Sequence, residues 1–143
     1  MYKSILLAID LPNRETQEKA LRTAVSLART FSAELTVMTV VPDFGMAIVG
    51  TFFPEGFEEK ALAKSQEELE AYVKDKVPDD IETRAVVAHG TIYSEILRVA
   101  KEAGADFIVV ASHRPELQDY LLGPNAARVV RHADCSVLVV RDA

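Results

Sequence analysis

The chain has a single cysteine, Cys135, in 143 residues, so no internal disulfide can staple it, and a reducing cytoplasm is the expected compartment. No apolar run approaches the ~20 residues that a membrane-spanning helix needs, and a membrane is not an expected partner. The apolar run over residues 5–9 ends at Asp10 without a small-residue cleavage site, so it reads as a first strand rather than a secretory leader. Lysine and arginine are scattered and the net charge is −6. Nucleic acid, which is held by clustered basic faces, is therefore not an expected partner either. A Walker-type Lys-[Ser/Thr] pair is missing. Neither His89 nor His132 sits at metal-ligand spacing, and no His/Cys/Asp cluster suggests zinc. Repeats, low-complexity tracts and linkers are missing too, which leaves residues 1–143 as one domain with enough chain to bury a core.

What is present is alternation. Residues 3–9 form a continuous apolar run of the kind buried on both faces of a sheet. Residues 14–31 space Ala20, Leu21, Ala24, Val25, Leu27, Ala28 and Phe31 on one helical face. Residues 33–41 are β-rich and stop at Pro42. An irregular segment, 42–56, carries three glycines, two prolines and the apolar residues Met46, Ile48, Phe52 and Phe53, which suit a lid or a subunit contact. A charged helix comes next over 57–77, with Leu62, Leu69, Tyr72 and Val73 inward, then a strand over 81–88. Gly90 opens a helix to Ala103 with Ile92, Ile96, Leu97 and Ala100 on its core face. A strand over 105–111, a helix over about 124–133 and a strand over 136–141 complete the chain. This β-α-β-loop-α-β-α-β-α-β order predicts a three-layer α/β/α fold around a parallel sheet with right-handed crossovers.

Ligands of such sheets bind at the carboxyl ends of strands where the strand order reverses. Asp10, the residues from Val40 to Pro42, and Ala111 with Ser112, His113 and Arg114 stand at three strand ends. If the first and fourth strands are neighbours, Asp10 and Ser112 flank one crevice. Beyond the fourth strand, Gly123 precedes a helix start, where free backbone N–H groups and the positive helix end favour phosphate. Arg114 adds a fixed fork of donors suited to the same anion. His113 can donate to an oxygen or simply order the loop. Pro124 suits the first helical turn but brings no backbone N–H, whereas Asn125 keeps its N–H and adds an amide. The plain alternatives stay open: Asp10 as a turn-former capping the helix after Pro12, Gly123 as a chain reversal. Val137, Leu138, Val139 and Val140 make an apolar last strand, a natural edge for pairing two copies into a homodimer.

The runs Tyr-Lys-Ser-Ile-Leu-Leu-Ala-Ile-Asp, Val-Met-Thr-Val-Val and Leu-Leu-Gly-Pro-Asn-Ala-Ala-Arg-Val-Val-Arg-His-Ala-Asp-Cys-Ser-Val-Leu-Val-Val-Arg resemble the universal stress protein family along the whole chain. Ala-Ser-His-Arg-Pro resembles its small single-domain bacterial branch, related to the enterobacterial F and G stress proteins. The resemblance implies a five-stranded sheet of order 3-2-1-4-5, of the adenine nucleotide alpha hydrolase-like kind. It also implies a homodimer paired through the last strands and, in ATP-binding members, a Gly-x2-Gly-x9-Gly-[Ser/Thr] signature. Asp10 takes the place of the acidic residue that meets adenosine, Val40 and Val41 offer backbone to adenine, and Ala8 and Ile9 line a wall. This chain departs from the signature. Ala111 and Arg114 stand at the first two glycine positions, eight residues rather than nine precede Gly123, and Pro124 replaces the hydroxyl residue.

The leading expectation is a stress-response regulatory protein that binds ATP or AMP, with Mg²⁺ present only alongside ATP, and that acts on a protein partner not named by the sequence. A nucleotide-free dimeric interaction module is the alternative. Third is a weak ATP hydrolase or autophosphorylating protein drawing on Asp10, Asp119 and His113. Binding is favoured over enzymatic turnover. A receiver domain is set aside: Asp10 is not one of an acidic pair, and the fourth connection carries Arg114 where a lysine is needed.

Overall fold

Each apolar run forms a strand because burying both faces of a parallel sheet removes the most hydrocarbon from water. The structure, a computed structural model, describes residues 1–42, 56–112 and 124–141. Strands β1 (Ser4–Ala8), β2 (Glu34–Pro42), β3 (Thr83–Gly90), β4 (Phe107–Ser112) and β5 (Ser136–Arg141) make one sheet of order β3-β2-β1-β4-β5. Every pairing is parallel: Ile5 lies opposite Leu35 on one side and Phe107 on the other.

Side chains alternate across the sheet and sort into two cores. On one face Ile5, Leu7, Leu35, Val37 and Val109 pack under helices α1 (Glu18–Phe31) and α2 (Phe57–Lys76). On the other, Leu6, Met38, Ile108 and Val110 pack under α3 (Ile92–Ala103) and α4 (Pro124–His132). β1 is sealed from both sides, with Ile5, Leu6 and Leu7 wholly inaccessible. α2 is anchored by Leu69 and Tyr72, while Leu62 and Val73 are half-buried. Burial pushes the Tyr72 phenol up, Glu18 adds to this and Arg14 opposes it.

Several boundaries differ from the sequence reading: β3 lies two residues later than 81–88, and β4 begins two residues later than 105. The segment over 14–31 is not one helix: residues Leu11–Gln17 form a 3-10 turn, and the α-helix begins at Glu18. Pro12 brings no donor to the first turn, and Asn13 departs to φ −114°, ψ 44°, which interrupts the α-helical ladder. Gly90 does not open α3 but closes β3, at φ +138°, a value that side chains rarely adopt. Thr91 takes the N-cap position of α3, without a side-chain cap bond. The expectations for 43–55, including Met46, Ile48, Phe52 and Phe53, and for Asp119 lie outside the described residues.

Candidate functional site

The strand order reverses between β1 and β4, and at the carboxyl ends of these strands lies a cleft of about 560 Å³. That volume and position suit a small-molecule site in an open α/β sheet. The structure brings Ala8, Ile9, Asp10 and Val40 to its lining from β1 and β2, and Ala111, Ser112, Pro124 and Asn125 from β4 and α4. Asp10 and Ser112 therefore flank one crevice, because β1 and β4 are paired neighbours. His113, Arg114 and Gly123 lie outside the described residues.

The wall after β1 is a dense hydrogen-bonded turn. Ile9 N–H extends the sheet by donating to the Met38 carbonyl at 2.9 Å. Thr39 Oγ1, only 3% exposed, donates to the Ile9 carbonyl at 3.0 Å and accepts from Leu11 N–H at 3.4 Å. Asp10 N–H donates to the buried Gln17 Oε1 at 3.2 Å, and Asp10 Oδ2 accepts from Asn13 Nδ2 at 2.8 Å. The Asp10 carboxylate is exposed and does not cap the turn that comes after it, so the simple capping role is not what the side chain does. Arg14 ties the turn to α2 through Glu68 at 3.2 Å.

The opposite wall is built differently. α4 starts at Pro124, which has no N–H, and the N–H groups of Asn125 and Ala126 in its first turn have no intrahelical acceptor. Ser112 ends β4 and is 7% exposed, and its hydroxyl has no hydrogen-bond partner among the described residues. A buried hydroxyl left unpaired is rare in folded proteins and is costly by comparison with a bonded one. Ile92 and Ile96 of α3 supply the apolar floor between the walls.

Sequence reasoning missed Asn13, Glu15, Thr16, Gln17 and Thr39, all of which line the cleft. A signal existed for Thr39, a polar residue in phase with the inward Leu35 and Val37. None existed for Gln17, which at the head of a charged amphipathic helix reads as solvated. Among the described residues no group of His, Cys, Asp and Glu could hold a metal ion. Cys135 stands at the other end of the sheet. Burial pushes its thiol up, and Asp106 and Asp134 push the same way, which disfavours the thiolate. No helix among the described residues is long and apolar enough to cross a membrane.

Comparison with known proteins agrees with this architecture. The family model described as the universal stress protein family matches residues 1–141. Universal stress protein G of Shigella flexneri is 33% identical, over 99% of this chain and all of that protein. Among solved structures, hypothetical protein MJ0577 is similar at TM-score 0.80 and 26% identity, covering 99% of this chain and 96% of that one. A universal stress protein solved in complex with cAMP is similar at TM-score 0.62 and 22% identity, covering 99% of each chain, a likeness of fold.

Proposed function

Given that the chain belongs to the universal stress protein family, we propose that it is a regulatory protein that binds an adenine nucleotide, ATP or AMP, in the cleft between β1, β2 and β4. The observation that carries this reading is the Ser112 hydroxyl, unpartnered among the described residues, beside the first turn of α4. A buried donor and free helix N–H groups on one wall are the chemistry that phosphate oxygens satisfy. The other wall presents the Asp10 carboxylate, suited to accept from sugar hydroxyls and unsuited to phosphate, so the ligand runs from sugar at Asp10 to phosphate at α4. Ala8, Ile9 and Val40 flank the base, with backbone at Val40 meeting its edge. Ala111, Ser112, His113, Arg114, Gly123, Pro124 and Asn125 surround the phosphates, with Mg²⁺ accompanying ATP. The fold neighbour solved with cAMP supports an adenine ligand for a cleft of this kind.

In this reading residues 1–143 act as one cytoplasmic domain. Val137, Leu138, Val139 and Val140 pair two copies across the β5 edge, and the bound nucleotide changes what the dimer presents to a protein partner. A second reading is favoured by Ala111 and Pro124, which replace a signature glycine and its hydroxyl residue: a dimeric interaction module that binds no nucleotide. A thermal-shift titration with ATP, AMP and cAMP, with and without magnesium, on wild type and Gly123→Val, decides between them. The expected outcome is a nucleotide-specific rise in melting temperature that the variant lacks. A flat response from folded, nucleotide-free wild type overturns the binding reading in favour of the interaction module.

A further inference from the structure

The turn after β1 closes a ring of hydrogen bonds that all run in one direction. Asp10 N–H donates to Gln17 Oε1 at 3.2 Å, and Gln17 Nε2 donates to Thr16 Oγ1 at 2.8 Å. Thr16 Oγ1 donates to the Asn13 carbonyl at 2.8 Å, and Asn13 Nδ2 returns to Asp10 Oδ2 at 2.8 Å. The ring thus begins at the backbone of Asp10 and ends on its carboxylate. An exposed aspartate at a strand end ordinarily samples several rotamers. Here both its backbone and one carboxylate oxygen are held, and all four residues line the cleft. Gln17 is 5% exposed, and a buried amide belongs where its bonds are met.

Two acceptors are left over. Asp10 Oδ1 and Asn13 Oδ1 have no bond among the described residues, and the Asn13–Asp10 bond sets them on one paired carboxamide and carboxylate. We propose that Asn13 determines specificity for a ligand bearing two adjacent hydroxyls, a ribonucleotide over its 2′-deoxy counterpart, and that Thr16 and Gln17 are positioning residues behind it. This inference rests on the nucleotide reading above and adds to it the means of sugar selection. One hydroxyl donates to the charged Asp10 oxygen and its neighbour to the Asn13 carboxamide. A sugar with one hydroxyl leaves one of these acceptors without the bond the ribonucleotide makes, which lowers its affinity by about one hydrogen bond. Thr16, its hydroxyl engaged on both sides, acts only through the ring.

The test is calorimetric titration of wild type, Thr16→Val and Thr16→Ser with AMP and 2′-deoxy-AMP. Valine matches threonine in shape but breaks two of the four links; serine keeps the hydroxyl. Wild type and Thr16→Ser are expected to prefer AMP by about tenfold, and Thr16→Val by about twofold, the loss of one hydrogen bond's discrimination. Hydrogen exchange at the Asp10 amide, followed without ligand, is expected to quicken at least about fivefold in Thr16→Val only. Asn13→Ala, at an exposed position that folding tolerates, is expected to give the same collapse of preference. An unchanged preference in Thr16→Val, or equal weakening of both ligands, overturns the inference while leaving nucleotide binding intact. A wild type that binds neither nucleotide overturns both.

Discussion

Across the cleft, the wall made by β1 and its turn leaves few polar atoms idle, whereas the wall made by β4 and α4 keeps a buried hydroxyl with no partner among the described residues. The first wall has its geometry before any ligand arrives, because Thr39, Gln17 and Asn13 fix the chain around Asp10. Among the described residues the second wall is short of partners, so in the proposed complex its hydrogen bonds come with the ligand. The difference teaches which groups carry stability and which carry affinity. Deleting a polar group from the satisfied wall strands its partners, while deleting one from the unsatisfied wall removes a cost.

The largest effect is expected at Thr39. Thr39→Val keeps the shape but leaves the Ile9 carbonyl and the Leu11 N–H without their shared partner in a buried position. Two stranded backbone groups should destabilise the folded chain by about 2 kcal/mol. Urea unfolding measures this as a lower midpoint at unchanged slope. A variant as stable as wild type would mean that the first wall does not depend on these bonds, and the contrast between the walls would fail.

That contrast was only half legible in the sequence. The sheet was readable because continuous apolar runs such as residues 5–9 admit one burial, and because alternating strands and helices leave little topological freedom. Asp10 and Ser112 were readable as strand ends, and pairing of β1 with β4 was enough to set them across one crevice. The turn over Leu11–Gln17 was not, since spacing by three and four residues does not separate a 3-10 segment from the α-helix that continues it. Pro12 was the only local hint. Gln17 was illegible for a deeper reason: its burial comes from packing beside β1, a tertiary fact that no local pattern of a polar residue reports. Gly90 was misjudged by two residues because a glycine that ends a strand and one that begins a helix look alike in sequence.

A smaller effect is expected at the head of α4. Pro124→Ser restores one backbone N–H and adds a hydroxyl where the second wall faces the phosphates in the proposed complex. Affinity for ATP should rise by about tenfold, the lower end of the contribution of one further hydrogen bond to a charged group, and affinity for adenosine should stay level. Calorimetric titration with both ligands separates the outcomes. A gain shared equally by adenosine would move the phosphates away from α4 and undo the assignment of the two walls.

The smallest shift, at Ser112, tests the contrast by sign rather than size. Ser112→Ala deletes a cleft hydroxyl that is buried without a partner among the described residues, so the free protein should become more stable, by about 0.5–1 kcal/mol. Thr39→Val, on the facing wall, should move the same urea midpoint the opposite way. With saturating ATP the order reverses for Ser112: the variant lacks a donor that wild type turns to the ligand, so its nucleotide-dependent gain in stability should be smaller. Stabilisation of the free form together with a weakened ligand response fits a hydroxyl held in readiness for a ligand oxygen. Destabilisation of the free form would mean that Ser112 already has a partner, and the second wall would then be as complete as the first.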